Sequence, residues 1–164
     1  MDLHHTPKGA CFCGAITYRL TAAPLFVHAC HCRDCQKQTG GPFAINALIE
    51  RDHVELLSGQ PVSYEMATGS GSPHDIYRCP QCLTAVWSDY GRRRKMIFLR
   101  VATLDEPELC PPDVHIFTRT RLPFTDLPPG VRRFEVFYDP LQEWPPASVE
   151  RVRALGVRLP GMDS

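Results

Sequence analysis

Residues 29–41, ACHCRDCQKQTGG, place three cysteines within six positions, at Cys30, Cys32 and Cys35. A structural zinc ion takes four protein ligands in a tetrahedron, whereas a catalytic zinc ion takes three and leaves one position for water or substrate. This stretch supplies three thiolates by itself. The identity of the fourth ligand therefore decides whether a metal site here is structural or reactive.

The composition is that of an ordinary soluble globular protein. The 164 residues contain 43% hydrophobic and 22% charged residues, and 18 basic residues balance 18 acidic ones. Zero net charge predicts no bulk attraction to nucleic acid or to anionic lipid. No apolar run approaches the roughly 20 residues of a membrane span, and the N-terminus lacks the apolar core of a signal peptide. We expect a cytoplasmic protein without a membrane partner.

Seven of the eight cysteines fall into three tight groups, which favours metal binding over disulfides. Disulfides are rare in the reducing cytosol, where clustered cysteines more often bind metal or do redox chemistry. A disulfide framework would also scatter its cysteines along the chain. The three groups are Cys11-Phe-Cys13, Cys30-His-Cys32-Arg-Asp-Cys35 and Cys79-Pro-Gln-Cys82.

Alternating apolar and polar residues predict strands over most of the chain. In GAITYRL, residues 14–20, Ile16, Tyr18 and Leu20 share one face. A short helix is predicted over RDCQKQTG, ending at Gly40, and another over ASVERVRALGV, with Ser148 as its N-cap. We predict a mainly β domain with short helices over residues 1–140. Residues 141–164 then form a proline-rich segment and a C-terminal helix appended to it.

Two of the cysteine pairs each supply half of a zinc site. In an extended segment Cys11 and Cys13 lie on the same face, so both can reach one metal ion. Cys79 and Cys82 have the tight-turn spacing of a zinc knuckle, with Pro80 helping to fix the turn. Joined across the fold, the pairs predict a structural four-cysteine site that couples metal binding to folding.

The second site has several candidate fourth ligands. Cys110 is isolated in PELCPPD, where an ordinary role as a small loop residue competes with ligation. His31 points away from its neighbouring cysteines in extended chain, which suits an indirect role. His28 lies two residues before Cys30, and His115 could reach the site from a later strand. For each histidine, an ordinary packed or exposed role competes with ligation.

An open position on a three-thiolate zinc ion favours soft ligands. Thiolates donate charge to the metal, so the ion is a poorer Lewis acid than one held by three imidazoles. It is suited to binding a further thiolate and lowering the pKa of that thiol. A thiol substrate is therefore favoured over an amide or a phosphate ester.

The order of these motifs resembles the glutathione-dependent formaldehyde-activating enzyme family, whose domain is shared with centromere protein V. The resemblance is carried by G-x-C-x-C-G-A at residues 9–15, C-H-C-x-x-C-x-x-x-T-G at residues 30–40 and Y-R-C-P-x-C at residues 77–82. The segment HIFTRTRLPF from His115 is similar to the family's later segment. It differs at Pro123-Phe124, where family members often carry Pro-Trp.

The resemblance implies a fold of stacked antiparallel sheets shaped like a tent, with two zinc ions per chain. It implies a carbon–sulfur lyase that forms or cleaves S-hydroxymethylglutathione, so the expected partner is a small thiol such as glutathione. Arg33, Lys37 and Arg78 are candidate contacts for glutathione carboxylates. The implied structural ligands are Cys11, Cys13, Cys79 and Cys82, and the implied catalytic ligands are Cys30, Cys32 and Cys35.

An alternative function is a non-catalytic, zinc-stabilised module that binds protein or nucleic acid. The one basic run, GRRRK at residues 91–95, is more simply a solvated hairpin turn. Phe43 follows the turn at Gly40-Gly41-Pro42 and is a candidate wall of the reactive site or a core residue. Enzyme and binding module differ in whether the second metal ion has a position open to substrate.

Overall fold

The alternating patterns form strands in the computed structural model, which describes residues 7–158. Most strands are short, at three to seven residues, as expected for a chain rich in glycine and proline turns. The strands in chain order are β1 (Lys8–Ala10), β2 (Thr17–Leu20), β3 (Phe26–Cys30), β4 (Ala44–Glu50), β5 (Val54–Ser58), β6 (Val62–Met66), β7 (His74–Arg78), β8 (Ala85–Tyr90), β9 (Met96–Arg100), β10 (Val114–Ile116) and β11 (Arg132–Arg133). The helices are α1 (Arg33–Thr39), α2 (Pro140–Glu143) and α3 (Pro146–Leu155).

The chain divides into two compact units. Among the described residues, the first unit comprises residues 7–24 and 47–111, and the second comprises residues 25–46 and 112–158. Strand β4 contains one of the boundaries, between Asn46 and Ala47. The first unit carries most of the strands, whereas all three helices belong to the second. The predicted division near residue 140 stays a prediction.

The first unit stacks two antiparallel sheets. Strands β1, β2 and β5 form one sheet, and β6, β7, β8 and β9 pair in sequence as part of a larger, eight-stranded sheet. Tyr18 of β2 meets Trp87 of β8 edge to face, with 6.3 Å between ring centroids. Both rings are almost completely buried, so they join the two sheets through a core contact. The expected mainly β fold with stacked sheets is confirmed.

Gly9 allows a close approach within this unit. A Cβ atom at this position would lie 2.4 Å from the Tyr18 hydroxyl and 2.5 Å from the backbone oxygen of Thr103. The Tyr18 hydroxyl itself bonds the Thr103 hydroxyl at 2.6 Å. The first glycine of the G-x-C-x-C-G-A motif is therefore required by packing and leaves β1 room to lie beside Tyr18.

The second unit is built on parallel strands. Strand β10 pairs in parallel with both β3 and β11, and Ile116 lies opposite Cys30. The expectation of antiparallel sheets therefore does not hold for these two pairings. A parallel pair needs a long connection, and more than 80 residues separate β3 from β10 along the chain. No local pattern marks such a pairing.

The helix α1 was predicted correctly, including its end. Gly40 closes it in the left-handed conformation, with φ of 67°, and its N–H donates to the Gln36 carbonyl. The predicted cap of α3 was wrong. Helix α3 begins earlier, at Pro146 after the N-cap Pro145, and Ser148 lies inside it with its hydroxyl donating 2.7 Å to the Leu25 carbonyl.

The basic run at residues 91–95 is a turn, as predicted. Residues 69–73 connect β6 to β7, and residues 91–95 connect β8 to β9. Asp89 closes the basic turn by accepting the backbone N–H groups of Arg93 and Arg94 at 2.7 and 2.8 Å. Arg92 pairs with Asp75 at 3.0 Å and with Glu65. Within residues 7–158, no helix has the length and apolar character to cross a membrane.

Candidate metal centres

The two expected pairs meet in a four-cysteine cluster in the first unit. The sulfur atoms of Cys11, Cys13, Cys79 and Cys82 all lie within 4.8 Å of one another. The Sγ atoms are 3.6 Å apart for Cys11 and Cys13, and 3.8 Å apart for Cys13 and Cys79. Zinc–sulfur bonds of about 2.3 Å in a tetrahedron require sulfur–sulfur distances of about 3.8 Å. The donor set and its spacing fit a tetrahedral zinc ion.

Two similar turns present these sulfur atoms. The Cys11 N–H donates to the Ile16 carbonyl at 3.0 Å, and the Cys79 N–H donates to the Thr84 carbonyl at 2.9 Å. Each turn contains a left-handed residue, Gly14 with φ of 75° and Leu83 with φ of 60°. The repeated geometry places both cysteines of each pair on the inside of a tight turn.

The structure corrects the predicted conformation of the first pair. Cys11 and Cys13 lie in the turn between β1 and β2, not in an extended strand. The turn brings the i and i+2 sulfur atoms together and directs Phe12 outward, where its side chain is 93% exposed. The expected sharing of one metal ion by Cys11 and Cys13 thus comes from turn geometry.

The second cluster lies in the other unit. The sulfur atoms of Cys30, Cys32 and Cys35 also lie within 4.8 Å of one another. Cys30 ends β3, Cys32 is the N-cap of α1, and Cys35 lies in the first turn of that helix. The Cys32 sulfur accepts the Cys35 backbone N–H at 3.3 Å, so the strand-to-helix junction itself assembles the cluster.

The three thiols do not ionise equally. Hydrogen bonds from Cys30 and then Cys35 lower the pKa of Cys32 to about 2. The hydrogen bond with Cys32, and to a smaller extent the one with Cys35, raises the pKa of the buried Cys30 thiol. The interaction among the three thiols therefore favours a thiolate at Cys32 over one at Cys30.

Among residues 7–158, no fourth cysteine, histidine or carboxylate ligand joins this cluster. Cys110 is buried in the first unit. In that unit Cys110 lies near the Tyr18 hydroxyl. Burial raises the pKa of this hydroxyl, and Asp105 and Cys110 raise it further by a smaller amount. Neither His28 nor His115 belongs to the group. All eight cysteines are thiols, without a disulfide.

The histidines near the second cluster make other contacts. His31 Nε2 lies 2.9 Å from His115 Nδ1, and the two rings stack with centroids 5.2 Å apart. Phe43 packs on the same pair, at 4.9 Å from the His31 ring centroid. His28 Nδ1 lies 3.3 Å from the Tyr138 hydroxyl. His31 is thus a buried partner of His115, which agrees with the indirect role expected for it.

The histidine pair is neutral at pH 7. Burial, followed by the charges of His115 and Arg121, lowers the pKa of His31 to about 4. Burial, followed by Arg133, also lowers the pKa of His115. His31 Nδ1 is buried without a hydrogen-bond partner among the described residues. An unpartnered N–H is costly to bury, so we assign the proton to Nε2, which donates to His115.

Sequence reasoning missed the polar contacts around His31. Gln36 and Thr120 both bond the His31 backbone, and no local pattern in the sequence marks either residue. Of the proposed carboxylate contacts, Arg33 and Lys37 lie on α1, whereas Arg78 donates to the Leu83 carbonyl at 2.9 Å beside the four-cysteine cluster. Phe124, at the position that differs from the family pattern, is 78% exposed.

We expect Cys110→Ala to leave metal content unchanged, because the Cys110 sulfur belongs to neither cluster. Purified variant and wild type should contain equal amounts of zinc per chain by elemental analysis. A modest loss of stability is expected from the small cavity, about 1 kcal/mol. Loss of one zinc equivalent would instead identify Cys110 as a ligand.

The comparison with protein families agrees with the motif order. A family model described as "Glutathione-dependent formaldehyde-activating enzyme" matches residues 6–120, which include both clusters. The chain matches no curated protein. A crystal structure of a Rhodobacter sphaeroides protein is similar at 17% identity and a TM-score of 0.47, over 77% of this chain and 98% of that one. That likeness is too distant to support an argument about function.

Proposed function

Because the chain belongs to the glutathione-dependent formaldehyde-activating enzyme family, we propose that it is a carbon–sulfur lyase acting on the adduct of a small thiol and formaldehyde. Glutathione is the thiol that the family description favours. The observation that carries the proposal is the cluster of Cys30, Cys32 and Cys35. It has three soft donors and no fourth protein ligand within the described part of the chain.

The donor sets support a different role for each cluster. Four thiolates complete a tetrahedral zinc ion, which suits a structural site at Cys11, Cys13, Cys79 and Cys82. Three thiolates leave one position, which suits a reactive site at the second cluster. We therefore assign two zinc ions per chain. A zinc ion held by three thiolates would supply a position for a substrate thiol and lower the pKa of that thiol.

The reaction joins the thiol to formaldehyde without an added oxidant or reductant. The thiol sulfur adds to the carbonyl carbon of formaldehyde, so the carbon–sulfur bond forms while the S–H bond and the C=O π bond break. The thiol proton passes through solvent to the carbonyl oxygen, which becomes the hydroxyl of the adduct. The reverse direction releases both reactants. Because the thiolate is the nucleophile, catalysis depends on presenting the sulfur atom in that form.

The surrounding residues support this by their charge and packing. His31 and His115 are buried and neutral beside the cluster, so they add no cation that would compete for it. Phe43 covers the imidazole pair, and its own side chain is partly exposed. These three rings pack on one another next to the peptide that joins Cys30 to Cys32.

The proposal is tested by following the exchange of ¹³C-formaldehyde with its glutathione adduct by NMR. The zinc-loaded protein should raise the exchange rate above the uncatalysed background in proportion to protein concentration. S-methylglutathione, which lacks the thiol, serves as the control and should show no effect. A protein with two zinc ions per chain that leaves the background rate unchanged for glutathione and other small thiols contradicts the proposal and favours the binding module.

A further inference from the structure

The peptide at His31, between two of the three clustered cysteines, is held on both sides. Its N–H donates to the Ile116 carbonyl at 2.9 Å. Its carbonyl accepts from Gln36 Nε2 at 2.8 Å and from the Thr120 hydroxyl at 3.0 Å, whose single proton is shared with the Phe117 carbonyl, also at 3.0 Å. The backbone between Cys30 and Cys32 is therefore fixed independently of anything the sulfur atoms bind.

The Gln36 side chain is held against the His31 carbonyl by burial and by hydrogen bonds. Its side chain is buried, with 5% exposure, although it lies on a short helix whose other residues are more exposed. The amide nitrogen donates to the His31 carbonyl and also to the Thr120 carbonyl at 2.9 Å, while the amide oxygen accepts from Arg33. A buried amide is costly unless it is fully bonded, so this geometry has few alternatives.

Thr120 reaches the same carbonyl from the other side because of an unusual backbone. Phe117 follows β10 in the left-handed conformation, with φ of 54°, and a single helical turn from Thr118 to Thr120 comes next. A large residue takes this conformation only at an energetic cost that the surrounding contacts offset. The Phe117 N–H donates to the Val136 carbonyl at 2.7 Å, which helps to hold the turn.

We propose that Gln36 and Thr120 are positioning residues for the metal centre at Cys30, Cys32 and Cys35. They hold the His31 carbonyl, and through it the separation of the Cys30 and Cys32 sulfur atoms, before the metal ion binds. The inference rests on the proposed function only in that these cysteines hold a metal ion. Partners that orient metal ligands through a neighbouring group typically change metal affinity by about 10–100-fold when removed.

The test measures zinc release from the holoprotein to a chromogenic chelator. Gln36→Met keeps the length of the side chain and removes both donors, and Thr120→Val keeps the shape and removes the hydroxyl. Each variant should release one of the two zinc equivalents about 10–100-fold faster than wild type, with the other unchanged. Cys32→Ser shows which of the two zinc-release phases belongs to the three-cysteine site, because this variant should lack that phase.

Two controls separate positioning from general stability. Thr120→Ser keeps the hydroxyl and should restore the wild-type release rate. Gln142→Met makes the same chemical change on the exposed face of α2 and should have no effect. If Gln36→Met fails to fold, Thr120→Val compared with Thr120→Ser decides the question.

The inference is overturned if Gln36→Met and Thr120→Val lower thermal stability but release both zinc equivalents at the wild-type rate. This outcome differs from failure of the proposed function. A wild type without thiol–aldehyde activity, whose variants still release one zinc ion faster, would refute the lyase and keep the positioning role. If the wild type is active and its variants release zinc at the wild-type rate, the positioning role is refuted and the lyase is kept.

Discussion

Cys32→Ser is expected to reduce thiol-dependent exchange of formaldehyde by on the order of 10³-fold while the protein stays folded. Serine is as good an N-cap as any residue, so its hydroxyl can accept the Cys35 N–H that the Cys32 sulfur accepts now. A hydroxyl is a hard, neutral donor and a poor substitute for a thiolate. Losing several kcal/mol of metal-assisted stabilisation corresponds to a rate loss of this size.

Three measurements on the same sample check this expectation. The exchange rate should fall to the uncatalysed background, zinc content should fall from two ions to one per chain, and far-UV circular dichroism should be unchanged. Cys110→Ala is the matched control, because it removes a cysteine thiol from outside both clusters. Full activity in Cys32→Ser would mean that the second cluster does not perform the reaction.

Cys79→Ser is expected to have the largest effect on stability, at least about 4 kcal/mol. Cys79 is completely buried, and the four-cysteine cluster joins the turn after β1 to the turn between β7 and β8. The substitution removes metal-coupled folding energy and leaves a buried hydroxyl in place of a ligand. For a chain of this length, about 4 kcal/mol lowers the melting temperature by roughly 8–16 °C.

Calorimetry with parallel zinc analysis measures this effect. If Cys79→Ser is insoluble, Cys13→Ser provides the same ligand loss at an exposed position and should also lower the melting temperature. The decisive comparison is with Cys32→Ser, which should unfold close to the wild-type temperature. Equal destabilisation by Cys32→Ser and Cys79→Ser would show that both clusters are structural and would remove the basis for a reactive site.

The local elements were predictable because their causes are local. Gly40 ends α1, and the run at residues 91–95 forms a hairpin turn, since each depends on a few neighbouring residues. The cysteine groups were predictable for the same reason. The conformation of the Cys11–Cys13 pair was not, because a turn and an extended strand both bring i and i+2 side chains near one metal ion.

The contacts around His31 depend on residues far away in the chain. Its partners His115, Ile116 and Thr120 are more than 80 residues distant, and they arrive through a parallel pairing of β3 with β10. Gln36 is close in sequence, yet nothing in RDCQKQTG distinguishes it from the more exposed Gln38. The feature that sets Gln36 apart is the burial of its amide, which the tertiary structure shows and the sequence does not.

The sequence by itself determined which thiols group together, because ligand spacing is a property of short segments. It also determined the mainly β character and the family to which the chain belongs. The tertiary structure brings together the two cysteine pairs that were predicted to share a metal ion, and it decided that Cys110 belongs to neither cluster. It also decided that His31 pairs with His115. These outcomes depend on long-range strand pairing and burial, which bring together residues that no local pattern connects.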